Sequence, residues 1–305
     1  MGHDQRFKEL LRTFFQDFLK LFYPDVEARL DFDEVEFPDT EMFLDFPDGK
    51  RREADVVAKL KTFDGSPELV LIHVEIQSRP ERDFEARMFE YYALLWSRYK
   101  LPVFPIVLYL HGGGTGAGHE EYRVRLFGRE VLRFRYESVR LEPLNAEEYL
   151  RYGGPVGAAL AALMDRSSSG DIERLRASMM QRVVSSELDE AKQFLLVNII
   201  QTYFELSANQ SERYRRLIAR KEYRKVQNVD ETWMDKLLRE GEERGVKVGV
   251  VQGKRETLLR QLALKYGSLP ERVTARIDAM DSMEELDACL GRILTANSLE
   301  ELGFG

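Results

Sequence analysis

A single cysteine, Cys289, stands in 305 residues. That excludes an intrachain disulfide and fits a reducing compartment. No apolar run approaches the ~18 residues that cross a bilayer. The chain opens His3-Asp4-Gln5-Arg6 and passes straight into a helical pattern, without the apolar core and small-residue cleavage site of a secretory leader. A cytoplasmic protein that makes no membrane contact is therefore expected. Three catalytic signatures are also missing. His111-Gly112-Gly113-Gly114 resembles a lipase oxyanion loop, but no G-x-S-x-G elbow accompanies it. His73-x-Glu75 is like the start of a zinc deaminase site, yet one cysteine cannot supply P-C-x-x-C. The glycine loop 112–118 has no G-K-[ST], which removes a P-loop.

What is present is a soluble, globular composition, 44% hydrophobic and 32% charged, with a net charge of −8. The acidic balance argues against a protein that coats nucleic acid. It does not exclude a nuclease, because charge acts locally within a Debye length of ~8–10 Å. One basic stretch, Glu212 to Lys225, has seven Lys or Arg against two Glu. Arg213, Arg216, Arg220 and Lys221 there are candidate nucleic-acid contacts, although a solvated helix face is the plainer reading.

Phe7, Leu10, Leu11, Phe14, Phe15, Phe18 and Phe22 follow helical spacing over 5–23, with Asp4 placed as N-cap. Three strand-like runs follow: Glu41 to Phe46, Arg51 to Lys61, and Glu68 to Gln77. Pro47-Asp48-Gly49 and Asp64-Gly65-Ser66-Pro67 separate them as turns, so they predict an antiparallel meander. Residues 82–99 read as helix, and Val103 to Leu110 as a buried central strand. Strands 122–127 and 131–136 come next, and from about residue 146 the pattern is helical. Gly241, Gly245, Gly249 and Gly253 fall every fourth residue, at ~1 kcal/mol each against alanine in a helix, and suit a helical linker. The expected units are 1–145, a helical region 146–227, a linker 228–255 and a small helical domain 256–305.

Strand periodicity of two places His73, Glu75 and Gln77 on one face and Val74 and Ile76 on the other. Glu53 and Asp55 share a face on the preceding strand. Neighbouring strands lie ~4.8 Å apart, so Asp55 and Glu75 together can hold one hard cation such as Mg²⁺, with water completing its shell. Gln77, ~6.5 Å further along the same face, can orient water or phosphate by hydrogen bonds, though it cannot supply a lysine's charge. Arg87 and Tyr91 (i, i+4) can reach the same region from helix 82–99. Glu53 reads as a surface residue, and His73 as a surface or capping one. Taken alone, an E-x-Q strand is only a solvent face; Asp55 and the element order turn it into a candidate hydrolytic site.

The order of helix, three strands, helix and strand, with Ile72-His73-Val74-Glu75-Ile76-Gln77-Ser78, Arg87-Met88-x-x-Tyr91 and the opening His3-Asp4-x-x-Phe7-Lys8, resembles the PD-(D/E)XK nuclease superfamily. Within it, residues 3–135 are similar to the Rpn-like family of recombination-promoting nucleases and transposase-like proteins. The tail, Leu258-Leu259-x-x-Leu262 to Leu269-Pro270, resembles a small helical domain of unknown function appended to such nucleases. The resemblance implies an α/β fold: a restriction-endonuclease-like αβββαβ core followed by a mostly helical C-terminal half. It implies Asp55 and Glu75 as metal ligands, Gln77 where lysine is commoner, and Glu9 as an accessory acidic residue.

Two functions follow as expectations. One is a Mg²⁺-dependent DNA endonuclease, Mn²⁺ substituting, linked to recombination or mobile elements, in which alanine at Asp55 or Glu75 removes activity at little cost in stability. The alternative is a catalytically degenerate nuclease fold that binds DNA or protein. A homo-oligomer formed through the helical half, by a face carrying Leu258, Leu262 and Tyr266, accompanies that alternative.

Overall fold

The computed structural model describes residues 3–38, 54–63, 65, 68–112, 114–267, 269–280, 282–293, 296, 298–299 and 301–302. The strand expected at Glu41 to Phe46, the turn after it, Glu53 and most of the turn 64–67 lie outside these residues. The chain divides into two compact units, 1–229 and 230–305.

The first unit opens with α1 (His3–Thr13) and α2 (Phe15–Phe22), separated by Phe14 at φ −121° and ψ 37°. The predicted single helix is thus broken, yet its apolar stripe persists: Phe7, Leu10, Leu11, Phe14, Phe15 and Phe18 are all buried. Helix α1 already includes Asp4, so Asp4 lies inside the first turn rather than ahead of it. A short α3 (Pro24–Glu27) leads into β1 (Leu30–Glu36), β2 (Val56–Thr62) and β3 (Leu69–Gln77), then α4 (Phe84–Tyr99), β4 (Val103–Tyr109), β5 (Ala117–Leu126) and β6 (Arg129–Arg140). The predicted order αβββαβ is therefore present. Its first strand was not foreseen at Leu30–Glu36. That run holds four acidic residues, which strands disfavour, but β1 is an edge strand, where charge deters stray pairing. Glu34 and Glu36 bind Lys61 and Lys59 of β2 at 2.8 and 3.0 Å.

The six strands form one sheet in the order β1-β2-β3-β4-β6-β5. The first three are antiparallel, while β4 runs parallel to both β3 and β6. Helix α1 packs on β2 and β3. On the other face, Tyr91 and Leu95 of α4 meet Val57 and Leu71, and Phe84 and Met88 meet Val107, Tyr109, Phe134 and Tyr136. With both faces covered, β3 is buried on both sides from Leu71 onward.

Helices α5 (Ala146–Tyr152), α6 (Gly154–Leu160), α7 (Ile172–Val184), α8 (Glu190–Tyr203) and α9 (Ala208–Ile218) complete the unit. They pack on the outer side of α1 and α2: Arg6 donates to Thr202 Oγ1 at 2.8 Å, and Phe7 meets Tyr203 edge-on. A 43-residue α10 (Arg224–Tyr266) runs helically through all four spaced glycines. In the second unit, α11 (Glu271–Asp278) and α12 (Met283–Arg292) fold onto the end of α10 around Leu258, Leu262, Val273, Ile277, Leu286 and Cys289. The face expected to self-associate is spent inside this unit: Leu258 and Leu262 are fully buried, and the Tyr266 hydroxyl donates to the carbonyl of Ala296. No helix among the described residues is long and apolar enough to cross a membrane.

Strands β5 and β6 are longer than expected and turn through Phe127 and Gly128, both at positive φ (51° and 75°). On their outer face Glu121 accepts hydrogen bonds from Arg133 (2.7 Å), Arg135 (3.0 Å) and Arg123 (2.7 Å). These guanidinium groups, Arg133 foremost, hold the Glu121 carboxyl at about 2 against an ordinary 4.5. Because the folded value is the lower one, the stabilisation is complete above pH 4.5 and is lost as pH falls toward 2. A carboxyl NMR titration should therefore find a Glu121 midpoint near 2 that rises in Arg133→Leu; a midpoint at the ordinary value would mean the cluster does not form.

Candidate functional site

Backbone pairing of β2 with β3 reaches Val56 opposite Val74. One step further, Asp55 lies opposite Glu75, and side chains take over from carbonyls. The Asp55 N–H donates to Glu75 Oε1 at 3.0 Å, and the Ile76 N–H donates to Asp55 Oδ2 at 2.7 Å. Each carboxylate is thereby held by the other's strand. Both residues are buried, Asp55 at 7% exposure and Glu75 at 3%.

Two further groups reach this pair. Lys8 of α1 places its ammonium 2.9 Å from Asp55 Oδ1. His73 Nε2 lies 2.8 Å from Glu75 Oε1, and an ionised carboxylate only accepts, so Nε2 carries the proton. His73 is completely buried, with its ring edge-on to Tyr91 and Nδ1 unbonded among the described residues. The expectation of a surface histidine is therefore corrected: α4 covers the face that strand alternation had assigned to solvent.

Asp55, Glu75 and Gln77 line one open, polar cleft of about 330 Å³, together with Ser78, Glu81, Arg87, Tyr91 and Leu110. Arg87 and Tyr91 therefore join the strand residues there. Arg87 Nη2 contacts Glu81 at 3.1 Å, while its Nε–H is buried without a hydrogen bond among the described residues. The Gln77 side chain lines the cleft and makes no hydrogen bond among the described residues. Glu9 is exposed on α1 and does not line the cleft. The basic helix contributes no lining residue either. Arg213 is bound to Glu173 at 2.8 Å and Arg216 to Glu212 at 2.5 Å, while Arg220 and Lys221 are exposed.

The donors fit a hard cation that keeps most of its own water. Mg²⁺ takes oxygen ligands, often only one or two carboxylates. Glu75 Oε2 makes no hydrogen bond among the described residues, and the cleft that Asp55 and Glu75 line has room for water. A closed multi-ligand cage is not offered: no group of three or more His, Cys, Asp or Glu suited to a metal occurs among the described residues.

Sequence reading missed Lys8 and Glu81 as members of the site. Lys8 and Glu9 are the two charges between Phe7 and the Leu10-Leu11 pair, and of these it was Glu9 that the sequence reading singled out. Nothing in local spacing tied Lys8 to Asp55.

Residues 1–115 match a family model described as putative transposase, YhgA-like. This agrees with the Rpn-like resemblance and points to a mobile-element-related function. The match spans α1 through β4 and includes every residue of the cleft. No curated protein and no solved structure matches the chain.

The geometry revises the expected cost of mutation. Alanine at Glu75 would strand the buried His73 Nε2–H and the Asp55 N–H, at about 2–4 kcal/mol for the two together. Alanine at Gln77 breaks no protein hydrogen bond and should cost less than about 1 kcal/mol. Urea denaturation of the two variants checks this ordering; equal losses would refute the bonding pattern.

Proposed function

We propose that the protein is a Mg²⁺-dependent DNA endonuclease serving recombination or a mobile element, with Asp55 and Glu75 as metal ligands. One observation carries the reading: two carboxylates from adjacent strands, cross-bonded to each other's backbone, meet in an open polar cleft. A bound magnesium ion would polarise the phosphate and make a nucleophile of water at neutral pH.

The chain's own groups divide the remaining work. Asp55 and Glu75 are pre-set, because backbone N–H groups and His73 fix their rotation before any ligand arrives. Gln77 offers an unengaged amide, able to donate to a phosphate oxygen or accept from the attacking water. It lacks the charge of lysine. Lys8, already at Asp55, brings an ammonium to the same end of the strands, and Arg87 adds a guanidinium from α4. These cations can stabilise charge that builds on the phosphate oxygens during attack. Water oxygen then bonds to phosphorus, the bond to the leaving sugar oxygen breaks, and that oxygen takes up a proton.

A second reading also has an observation behind it. The Lys8 ammonium occupies the position of a cation on Asp55, so the carboxylate could be neutralised internally in a fold that binds DNA without cutting it. Nicking of supercoiled plasmid in Mg²⁺, Mn²⁺ and EDTA separates the two. Asp55→Asn keeps an oxygen for the Ile76 N–H, so it should fold; on the endonuclease reading it loses about 10²–10³-fold of a metal-dependent activity. Lys8→Met should also lose activity if Lys8 serves the phosphate. Absence of cleavage in every metal by wild-type protein and by Lys8→Met would leave only the binding fold.

A further inference from the structure

The β5–β6 hairpin lies beyond the residues that match the family model. Strand β4 pairs with β6 only from Glu137 to Arg140. Residues 129–136 pair with β5 alone, so the hairpin leaves the sheet as a two-stranded ribbon about 27 Å long.

Its two faces differ sharply. Tyr122 and Phe134 face α4 and meet Phe89, Tyr122 tilted and Phe134 edge-on, and Phe134 also meets Tyr92. At the root, Glu120 accepts hydrogen bonds from Tyr136 (2.9 Å), Tyr109 (3.2 Å) and Arg140 (2.5 Å). The ribbon is thus anchored at its base and on its inner side. The outer face is open. Glu121 to Arg135 holds five arginines against two glutamates in a chain whose overall charge is −8. Arg123, Arg133 and Arg135 converge on Glu121, with Glu130 reaching Arg123 at 3.8 Å, so two carboxylates serve three guanidinium groups that remain 44–54% exposed. Arg125 and Arg129 are exposed and make no ion pair among the described residues.

The tip sharpens this picture. Phe127 is 92% exposed, the most exposed large hydrophobic side chain described, and stands beside half-exposed Leu126 and Val131. It also occupies φ +51° in a two-residue turn, a position that Asn, Asp or Gly fills with less strain. Neither core packing nor turn geometry accounts for a phenylalanine there, and a strained, exposed residue points toward a use. A second copy of the same ribbon is a poor partner, because its arginine face would meet its own charge. A polyanion is the complementary one. A two-stranded β-ribbon fits a DNA groove, and apolar side chains at the ends of such elements wedge between base steps.

We propose that the β5–β6 hairpin is a DNA-binding arm, its open arginine face taking duplex phosphates and Phe127 entering the base stack. The proposal rests on DNA being the substrate of the cleft, but the arm holds the duplex and takes no part in the chemistry.

The test is full-length protein binding a fluorescent 30-base-pair duplex in EDTA, from 50 to 200 mM salt, with 2-aminopurine as a stacking probe. Arg125→Ala/Arg129→Ala breaks no described ion pair and should flatten the slope of log K against log salt by about 1.8. Phe127→Asn should melt no lower than wild type, yet abolish the 2-aminopurine increase and weaken binding by roughly five- to a hundredfold. Unchanged slope and unchanged probe signal would overturn the arm, as would binding confined to A-form RNA. The two proposals fail separately. Binding through the arm without cleavage removes the nuclease and keeps the arm; wild-type binding and cleavage in both arm variants does the reverse.

Discussion

The last rung of the β2–β3 ladder is made by two carboxylates in place of two carbonyls, and the rest of the site follows from that exchange. Where backbone pairing stops at Val56 and Val74, Glu75 accepts the Asp55 N–H and Asp55 accepts the Ile76 N–H. A sheet end has backbone groups that must find partners. Here acidic side chains satisfy them, so the interaction that ends the sheet also fixes the carboxylates that line the cleft.

Such an arrangement carries an electrostatic cost. Two ionised carboxylates at low exposure repel each other and lose hydration. Lys8 and His73 offset this, one by a full charge on Asp55 and the other by a hydrogen bond to Glu75. They come from different places: Lys8 from α1 on one face of the sheet, His73 from β3 itself beneath α4. The site therefore depends on helices closing both faces, and the apolar stripe of α1 that buries Phe7 and Leu10 also delivers Lys8.

That dependence explains what could be read in advance. Strand β3 and helix α4 were legible because their patterns are local: two-residue alternation from His73 to Gln77, and helical spacing of Phe84, Met88 and Tyr91. The pairing of Asp55 with Glu75 followed from strand geometry. Strand β1 was not legible, because two of its four acidic residues, Glu34 and Glu36, are offset by Lys61 and Lys59 of a strand distant in sequence. His73 was misplaced because alternation tells which side chains share a face and says nothing about what covers that face. Lys8 was missed because its partner lies 47 positions away in the chain. The Phe127–Gly128 turn escaped because a phenylalanine is not chemically a turn residue, and its positive φ appears only in the fold.

The charge distribution suggests why binding and chemistry would be separated in space. Asp55, Glu75 and Glu81 make the cleft acidic, so a nucleic-acid backbone approaching it meets repulsion that Lys8 and Arg87 offset only in part. Attraction strong enough to hold a polyanion has to come from elsewhere on the surface. The arginine-rich ribbon is such a place: Arg123, Arg133 and Arg135 share Glu121 and Glu130, while Arg125 and, next to the turn, Arg129 make no ion pair among the described residues. Binding energy gained at a distance from the reacting bond can offset the cost of bringing phosphate against carboxylates. On that account the acidity of the cleft and the basicity of the arm are complementary requirements. On the endonuclease reading, a cleft basic enough to hold DNA unaided would add further cations to the one that Lys8 already sets on Asp55, in competition with a metal.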